Sequence, residues 1–328
     1  MKHVRHEVRL SFGYIHVIVV ALLVTGGATQ GAAQMATADT VDQKATEQFE
    51  NSPLTTTPLG KGLFMFSGDG GNVTAIVDDG TTLLIDSGLN SRTAELSDAI
   101  FKETMRPVTR LVNTHWYRAH TGGNAFFGSE GVTIIAQEDV KTRMSFVQSV
   151  PYVGLRDGPY PPQALPTVTY SNTMTLRQGS QRLTLVHYGP AHTDGDTVIY
   201  IAPANIAVVG DVFSNHFYPI IDLASGGSID GIIHSLDLIL AQTDEQTKIV
   251  PGHGPVATRR DLQNYRDMLW QVRQRIMGLI TAGKTMDEAV ASAPTKDFDA
   301  TWGRGYVSPD VFTEMVFGSL TNVTSASR

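Results

Sequence analysis

Residues 113–124 read NTHWYRAHTGGN and follow an apolar run at residues 109–112. The apolar run predicts a buried strand, and the polar, glycine-containing segment after it predicts a loop at the end of that strand. Imidazole nitrogen is a preferred ligand of zinc, iron and related metals. His115 and His120 in this loop are therefore candidate metal ligands.

Three further loops carry donors of the same kinds at the ends of apolar runs. They are residues 189–196 (GPAHTDGD), 209–213 (VGDVF) and 251–255 (PGHGP), which supply His192, Asp211 and His253. One loop histidine is more often a structural or exposed residue than a ligand, but four such loops in series favour a metal centre. The chain has no Cys, so thiolate zinc sites and disulfides are excluded. Its metal ligands must then be imidazole, carboxylate or water.

Taken in order, these motifs resemble the metallo-β-lactamase fold superfamily, and within it the glyoxalase-II-like hydrolases more than the β-lactamases themselves. The resemblance rests on residues 83–88 (LLIDSG), the Gly-Pro-Ala-His-Thr loop, the Gly-Asp after a strand and the Pro-Gly-His-Gly loop. It covers nearly all of the chain beyond the N-terminal segment. It implies an α/β fold, the four-layer αβ/βα sandwich, with metals at the open edge between two sheets.

The first loop departs from the family pattern at two positions. The family reads His-x-His-x-Asp-His, whereas this chain has Tyr117 in place of the second His and Ala119 in place of the Asp. The resemblance implies that the missing Asp would have bound a metal and oriented the attacking hydroxide. This pattern fits a depleted site that is either inactivated or specialised.

The resemblance also implies how the remaining ligands divide between two metal positions. One position keeps His115, His192 and a bridging Asp211, and the other keeps His120, His253 and the same Asp211. Three protein ligands plus water make an acceptable open zinc site. We therefore expect one or two zinc ions, with iron or manganese as alternatives that the same donors accept.

Two residues are candidate catalytic groups. The resemblance implies that Asp211 bridges the metals or holds the attacking water. Tyr117 is a candidate general acid, since an unperturbed phenol with a pKa of about 10 is protonated at neutral pH. Asp86, at the end of the run at residues 83–85, is expected to orient a metal-bound His rather than to bind metal. Asp194 and Asp196 are expected to brace the turn after His192.

The N-terminal segment predicts export. Lys2, Arg5 and Arg9 precede a short apolar run at residues 14–24, and small residues follow it. This order is typical of a secretory signal, and the run is shorter than the ~20 residues of a membrane-spanning helix. We predict a signal peptide at 1–36, a linker or N-terminal arm at 37–58 and one domain at 59–328. The protein is then secreted or periplasmic, with no membrane segment beyond the signal.

The rest of the chain has an order of strands and helices that predicts a layered α/β domain. Strands are predicted at residues 63–66, 73–77, 82–85, 109–112, 132–136, 182–187, 197–201, 206–209 and 248–250, and helices at residues 90–104, 229–241, 259–282, 286–291 and 310–321. A Pro- and Tyr-rich segment between residues 146 and 167 is predicted to be an irregular insertion over a pocket. Aromatic candidates for lining that pocket are Phe146, Tyr152, Tyr160 and Phe217.

Composition and motifs together predict a class of function. The 328 residues carry a net charge of −7, so there is no basic footprint and we expect no nucleic-acid partner. The sequence predicts an exported metal-dependent hydrolase with a small-molecule substrate that contains an ester, thioester, amide or lactam bond. The alternative is a catalytically impaired or non-catalytic binding protein that retains the fold.

Overall fold

A computed structural model describes residues 52–60, 62–68, 70–78 and 80–321 of the chain. The predicted signal at 1–36 lies outside these residues, as does the predicted arm as far as residue 51. Within the described ranges, no helix has the length and apolar character needed to cross a membrane.

The described chain alternates strands and helices in two halves. The strands are β1 (Thr55–Gly60), β2 (Leu63–Ser67), β3 (Val73–Val77), β4 (Thr82–Ile85), β5 (Val108–Val112), β6 (Thr133–Gln137), β7 (Gln148–Val150), β8 (Leu155–Asp157), β9 (Val168–Tyr170), β10 (Thr173–Gln178), β11 (Gln181–Val186), β12 (Val198–Ala202), β13 (Ile206–Val208) and β14 (Lys248–Val250). The helices are α1 (Thr93–Thr104), α2 (Arg118–Thr121), α3 (Asn124–Ser129), α4 (Glu138–Met144), α5 (Ile229–Gln242), α6 (Arg259–Thr281), α7 (Met286–Ala291), α8 (Asp299–Trp302) and α9 (Pro309–Thr321).

The first sheet brings the ends of β4 and β5 to one edge. In the described residues its strand order is β1-β2-β3-β4-β5-β6-β9, and the pairs β4–β5, β5–β6 and β6–β9 are parallel. Ile85 is level with Val112, and Val112 is level with Ile135. Because parallel strands end at the same edge of a sheet, Asp86 and the loop after Val112 become neighbours.

The second sheet does the same for the other two site loops. Its order is β10-β11-β12-β13-β14 over the described residues, antiparallel except for the parallel pair β13–β14. Val208 is level with Val250, so the chain leaves both strands side by side. An isolated bridge also pairs Ser214 with His253. The Asp211 and His253 loops are therefore adjacent.

Three apolar clusters show that the two sheets pack face to face with helices on both outer sides. One cluster lies between the sheets and joins residues such as Ile85 and Val112 to Ile199 and Val250. A second cluster packs helices α1 and α3 on the outer face of the first sheet. A third packs α5, α6 and α9 on the outer face of the second sheet. This is the predicted four-layer αβ/βα sandwich.

Alternation along the strands explains this layering. In β12, Ile199 and Ile201 face the cluster between the sheets, whereas Val198 faces the outer helices. In β4, Leu83 and Ile85 face inward and Leu84 faces α1. Successive side chains of a strand point to opposite faces, so a continuous apolar run indicates a strand that is buried on both faces.

Several predicted boundaries differ from the structure. β1 takes four residues of the predicted arm at 37–58, residues 55–58, into the first sheet as an edge strand. The predicted irregular insertion contains the β7–β8 hairpin, and the strands β9 and β10 after it were not predicted. The predicted loop after β5 contains the short helices α2 and α3. These short elements have too few residues for a periodic pattern to indicate them.

The cluster between the sheets predicts a large cost for removing a buried methionine. Met65 is 2% exposed in that cluster, whereas Met105 is 61% exposed after α1. Met65→Ala is expected to lower the free energy of unfolding by about 2–5 kcal/mol, because it leaves a cavity. The matched change Met105→Ala is expected to alter it by less than about 0.5 kcal/mol. Equal shifts in urea unfolding midpoints would contradict this account of the layers.

Candidate metal centre

All five predicted ligands meet at one point, with the Asp211 carboxylate in the middle. The distances from Nε2 to the nearer Asp211 oxygen are 3.5 Å for His115, 3.2 Å for His120, 3.8 Å for His192 and 3.5 Å for His253. The His120 and His253 Nε2 atoms are 3.4 Å apart. Every one of these side chains is buried. Four imidazoles from three loops therefore point at one carboxylate.

This geometry fits a metal ion. Ligands of a tetrahedral zinc ion at about 2.0–2.2 Å are about 3.3–3.6 Å from one another, which is close to the separations in the cluster. Within the described chain, Nε2 of His115, Nε2 of His192 and Oδ1 of Asp211 make no hydrogen bond although they are buried. Buried polar atoms normally have partners, so atoms without one that converge on a common point are suited to a cation. His115, His120 and Asp211 alone form a group that could hold one.

Tight turns hold Asp211 and His253 in place. Asp211 lies in a 3-10 turn, Gly210–Val212, that is separated from the end of β13 by one residue. Gly210 has φ of +52°, where a side chain would be strained. A Cβ on Gly252 would lie 1.9 Å from Asp211 Oδ1, so only glycine lets the two loops approach this closely.

The turn between β2 and β3 packs against the same centre. Asn72 donates from Nδ2 to the carbonyl oxygens of Pro251 and Gly254, at 2.9 Å and 2.8 Å, and from its backbone to Gly252 at 2.7 Å. A Cβ on Gly71 would lie 2.2 Å from the His120 ring. This turn therefore clamps the His253 loop and closes over His120.

Three histidines of the cluster are oriented by hydrogen bonds from their Nδ1 atoms. His120 Nδ1 donates to Asp86 Oδ2 at 2.8 Å, and His192 Nδ1 donates to the Ile220 carbonyl at 2.8 Å. Thr114 Oγ1 donates to Asp86 Oδ2, so at 3.0 Å it accepts from His115 Nδ1. Bonds of this kind fix the ring and direct the Nε2 lone pair to a metal. Asp86 therefore has the orienting role that the sequence predicted.

The charges in the cluster favour an ionised carboxylate. Burial would raise the pKa of Asp211, but the positive charge available at His253, His120 and His115 outweighs it and holds that pKa well below the usual range. Burial would lower the pKa of His120, yet Asp211 and Asp86 raise it to about 10. Burial and neighbouring imidazoles lower the pKa of His115 and of His192. Together these shifts favour an ionised Asp211 beside a protonated His120.

Tyr117 lies beside the cluster with its ring against two of the imidazoles. Its ring centroid is 5.3 Å from that of His115 and 4.7 Å from that of His192. Burial, with the negative charges of Asp222 and Asp211, raises the pKa of its hydroxyl well above 10, so it is a phenol and not a phenolate. That hydroxyl makes no hydrogen bond with the described residues. Ala119 offers the site no donor side chain, and its backbone oxygen accepts from Gly71 at 2.9 Å.

The remaining predicted residues lie around the centre. Asp196 Oδ2 accepts from the backbone of His192 and Thr193 at 2.6 Å and 2.9 Å, the predicted turn-bracing role. Asp194 instead forms an ion pair with Arg143 at 2.6 Å. Among the predicted pocket aromatics, Phe146 is 65% exposed.

Some residues at the site were missed by the sequence analysis. Asn72 and Thr114 carry hydrogen bonds between loops, and such roles have no signal in a single sequence. Tyr306 follows α8 and places its ring centroid 5.9 Å from that of His253. It is more than fifty residues from the last predicted ligand, so only packing brings it near. The available signal in the sequence was that Tyr306 is an aromatic residue beyond the last metal loop.

A sequence profile described as the metallo-beta-lactamase superfamily matches residues 67–253. The chain belongs to this superfamily. The matched part begins at the end of β2 and ends at His253, so it contains all five clustered ligands. Because α6 to α9 follow His253, the C-terminal helices lie beyond the match.

Solved structures of superfamily members share the fold. A metallo-beta-lactamase from Pontibacter korlensis is 19% identical with a TM-score of 0.56, over 66% of this chain and 99% of that one. The DIM-1 metallo-beta-lactamase is 18% identical with a TM-score of 0.55, over 67% and 98%. TMB-1 is 19% identical with a TM-score of 0.52, over 66% and 96%. These identities are low, so the likeness is one of fold.

The hydrogen bond from His120 to Asp86 predicts an effect on metal affinity. Asp86→Asn is expected to weaken zinc binding by about 10- to 100-fold, because the ring of His120 loses its charged acceptor. Asp194→Asn, which changes only the ion pair with Arg143, is the matched control and is expected to leave affinity unchanged. Competition with a chromogenic chelator measures both. An Asp86→Asn protein with the affinity of the parent would show that this bond does not orient the ligand.

Proposed function

We propose that the protein is an exported, metal-dependent hydrolase that cleaves an ester, thioester, amide or lactam bond in a small molecule. The observation that carries the proposal is the convergence of four imidazoles on the Asp211 carboxylate, within 3.2–3.8 Å. Membership of the metallo-β-lactamase superfamily supports it. Zinc is the metal proposed, as one or two ions, because imidazole and carboxylate suit it; iron and manganese are the alternatives.

The ligands would divide around the shared carboxylate. His115, His192 and His253 are nearest to Asp211 Oδ2, whereas His120 is nearest to Oδ1. A bound zinc ion supplies a Lewis acid for the carbonyl and lowers the pKa of a water toward about 7. Asp211 would hold the metal and balance its charge, and Asp86 keeps His120 in the orientation that binding needs. An aspartate in place of a thiolate ligand supports the glyoxalase-II-like assignment.

Tyr117 has the protonation state of a general acid. Its hydroxyl keeps its proton because burial and two carboxylates raise its pKa, and its ring lies against His115 and His192. In this proposal it donates to the leaving group as the bond breaks. Ala119 supplies no carboxylate to orient the attacking water, so turnover is expected to be slower than in a site with that group.

A second candidate function is binding without turnover. The observation that favours it is Ala119, which removes from the first loop the one group that both binds metal and orients water. Such a protein would bind metal and a small molecule but would release the molecule unchanged. Export remains part of either proposal, on the basis of the basic and apolar N-terminal pattern.

Metal removal separates the two candidates. Full-length protein treated with a chelator is expected to lose hydrolysis of phenyl acetate, phenyl thioacetate and nitrocefin alike, and zinc is expected to restore whichever activity was present. Asp211→Asn, which removes the central charge, is expected to abolish both metal binding and turnover. Stoichiometric zinc with no turnover of any ester, thioester, amide or lactam would favour the binding protein.

Restoring the family residues at positions 117 and 119 tests what limits catalysis. The double change Tyr117→His and Ala119→Asp is expected to raise zinc affinity at least tenfold and to raise turnover, because it returns one ligand to each metal position. Each single change is the control for the other. Tyr117→Phe is expected to lower turnover at unchanged metal content, since the phenol proton is lost and no ligand is. Turnover equal to that of the parent would dismiss Tyr117 as the general acid.

A further inference from the structure

The chain beyond His253 packs against the loop that follows Asp211. The Tyr218 backbone donates to the Trp302 carbonyl at 2.9 Å, and its hydroxyl donates to Asp299 Oδ1 at 2.8 Å. Its ring stacks on Phe312 with centroids 4.4 Å apart and planes at 14°. Tyr218 is fully buried. Helices α8 and α9 are therefore firmly attached beside the metal centre, although they lie outside the matched superfamily residues.

This attached segment carries Tyr306 to the centre. The Tyr306 ring lies edge-on to His253, with centroids 5.9 Å apart. It also stacks on Phe217, with centroids 6.5 Å apart and planes at 28°. Gly305 permits this, since a Cβ there would lie 2.5 Å from the Phe217 ring.

Tyr306 differs from Tyr117 in its exposure. Tyr117 is 5% exposed, whereas Tyr306 and its stacking partner Phe217 are both partly exposed. Of the tyrosines whose rings contact the clustered imidazoles in the described chain, Tyr306 is thus the more exposed to solvent. The charge of Asp211 raises the pKa of both hydroxyls, so both tyrosines lie near this carboxylate.

We propose that Tyr306 and Phe217 form a stacking surface at the metal centre for substrates that carry an aromatic group next to the scissile bond. Flat rings pack on such a pair with offset or edge-on geometry, and a residue next to His253 would contact the group attached to the carbonyl. This inference rests on the proposed function, because it concerns what binds at the same centre. It assigns one part of the substrate contact to Tyr306 in the C-terminal segment, beyond the matched superfamily residues, and the other to Phe217 within them.

The test measures binding, so that it does not depend on turnover. Cobalt-loaded full-length protein is titrated with phenylphosphonate and with methylphosphonate, and the visible absorption of cobalt reports occupancy. Tyr306→Ala is expected to weaken phenylphosphonate binding about three- to tenfold, the size of an aromatic contact, with little change for methylphosphonate. Tyr306→Phe is expected to bind like the parent. Trp270→Ala is the control, since that exposed ring lies between Arg266 and Arg273 on α6.

Cobalt content is measured for every variant. If Tyr306→Ala loses metal, Tyr306→Leu, which keeps apolar bulk, decides the question at full metal content. Unchanged phenylphosphonate affinity in a metal-replete variant, or equal weakening for both phosphonates, would overturn the inference. Failure of the hydrolase proposal is read separately, as absence of ester turnover by the zinc-loaded parent, and leaves the phosphonate comparison meaningful.

Discussion

The structure around the site depends on the burial of one carboxylate among four imidazoles. Asp211 has to remain ionised inside the protein, and burial alone opposes this. Positive charge on neighbouring imidazoles offsets that cost, and a metal ion bound at the site would offset it further. The rings must in turn be held at the correct angle, which explains the hydrogen bonds that His120, His115 and His192 donate from Nδ1 to Asp86, Thr114 and the Ile220 carbonyl.

The topology of the two sheets brings the ligands of this cluster together. The two parallel pairs β4–β5 and β13–β14 each end at the edge where the loops meet, so ligands far apart in sequence leave the sheets side by side. Glycines at 71 and 252 allow backbone to lie against His120 and Asp211, where any side chain would collide. These close approaches constrain the backbone in loops. The fold is stabilised by the apolar cluster buried between the sheets.

Much of this was predictable from local patterns. Apolar runs ending in His or Asp indicate strands that deliver ligands to a sheet edge, and helices α5 and α6 follow from their spacing of apolar residues. The strands β9 and β10, the hairpin β7–β8 and the short helices after β5 were missed. Each is either too short to show a period or alternates residues whose burial is set by neighbours.

The sequence by itself determined the kinds of ligand, their order and the two departures, Tyr117 and Ala119, because these are properties of residue type and spacing. The order of strands and helices also predicted a layered α/β domain, and the resemblance to the superfamily implied that the layers are four. Only the tertiary structure decided that the Tyr117 hydroxyl is buried near Asp222, that Asn72 clamps the last loop and that Tyr306 reaches His253. Those contacts join residues distant in sequence, and packing alone sets the distances between them.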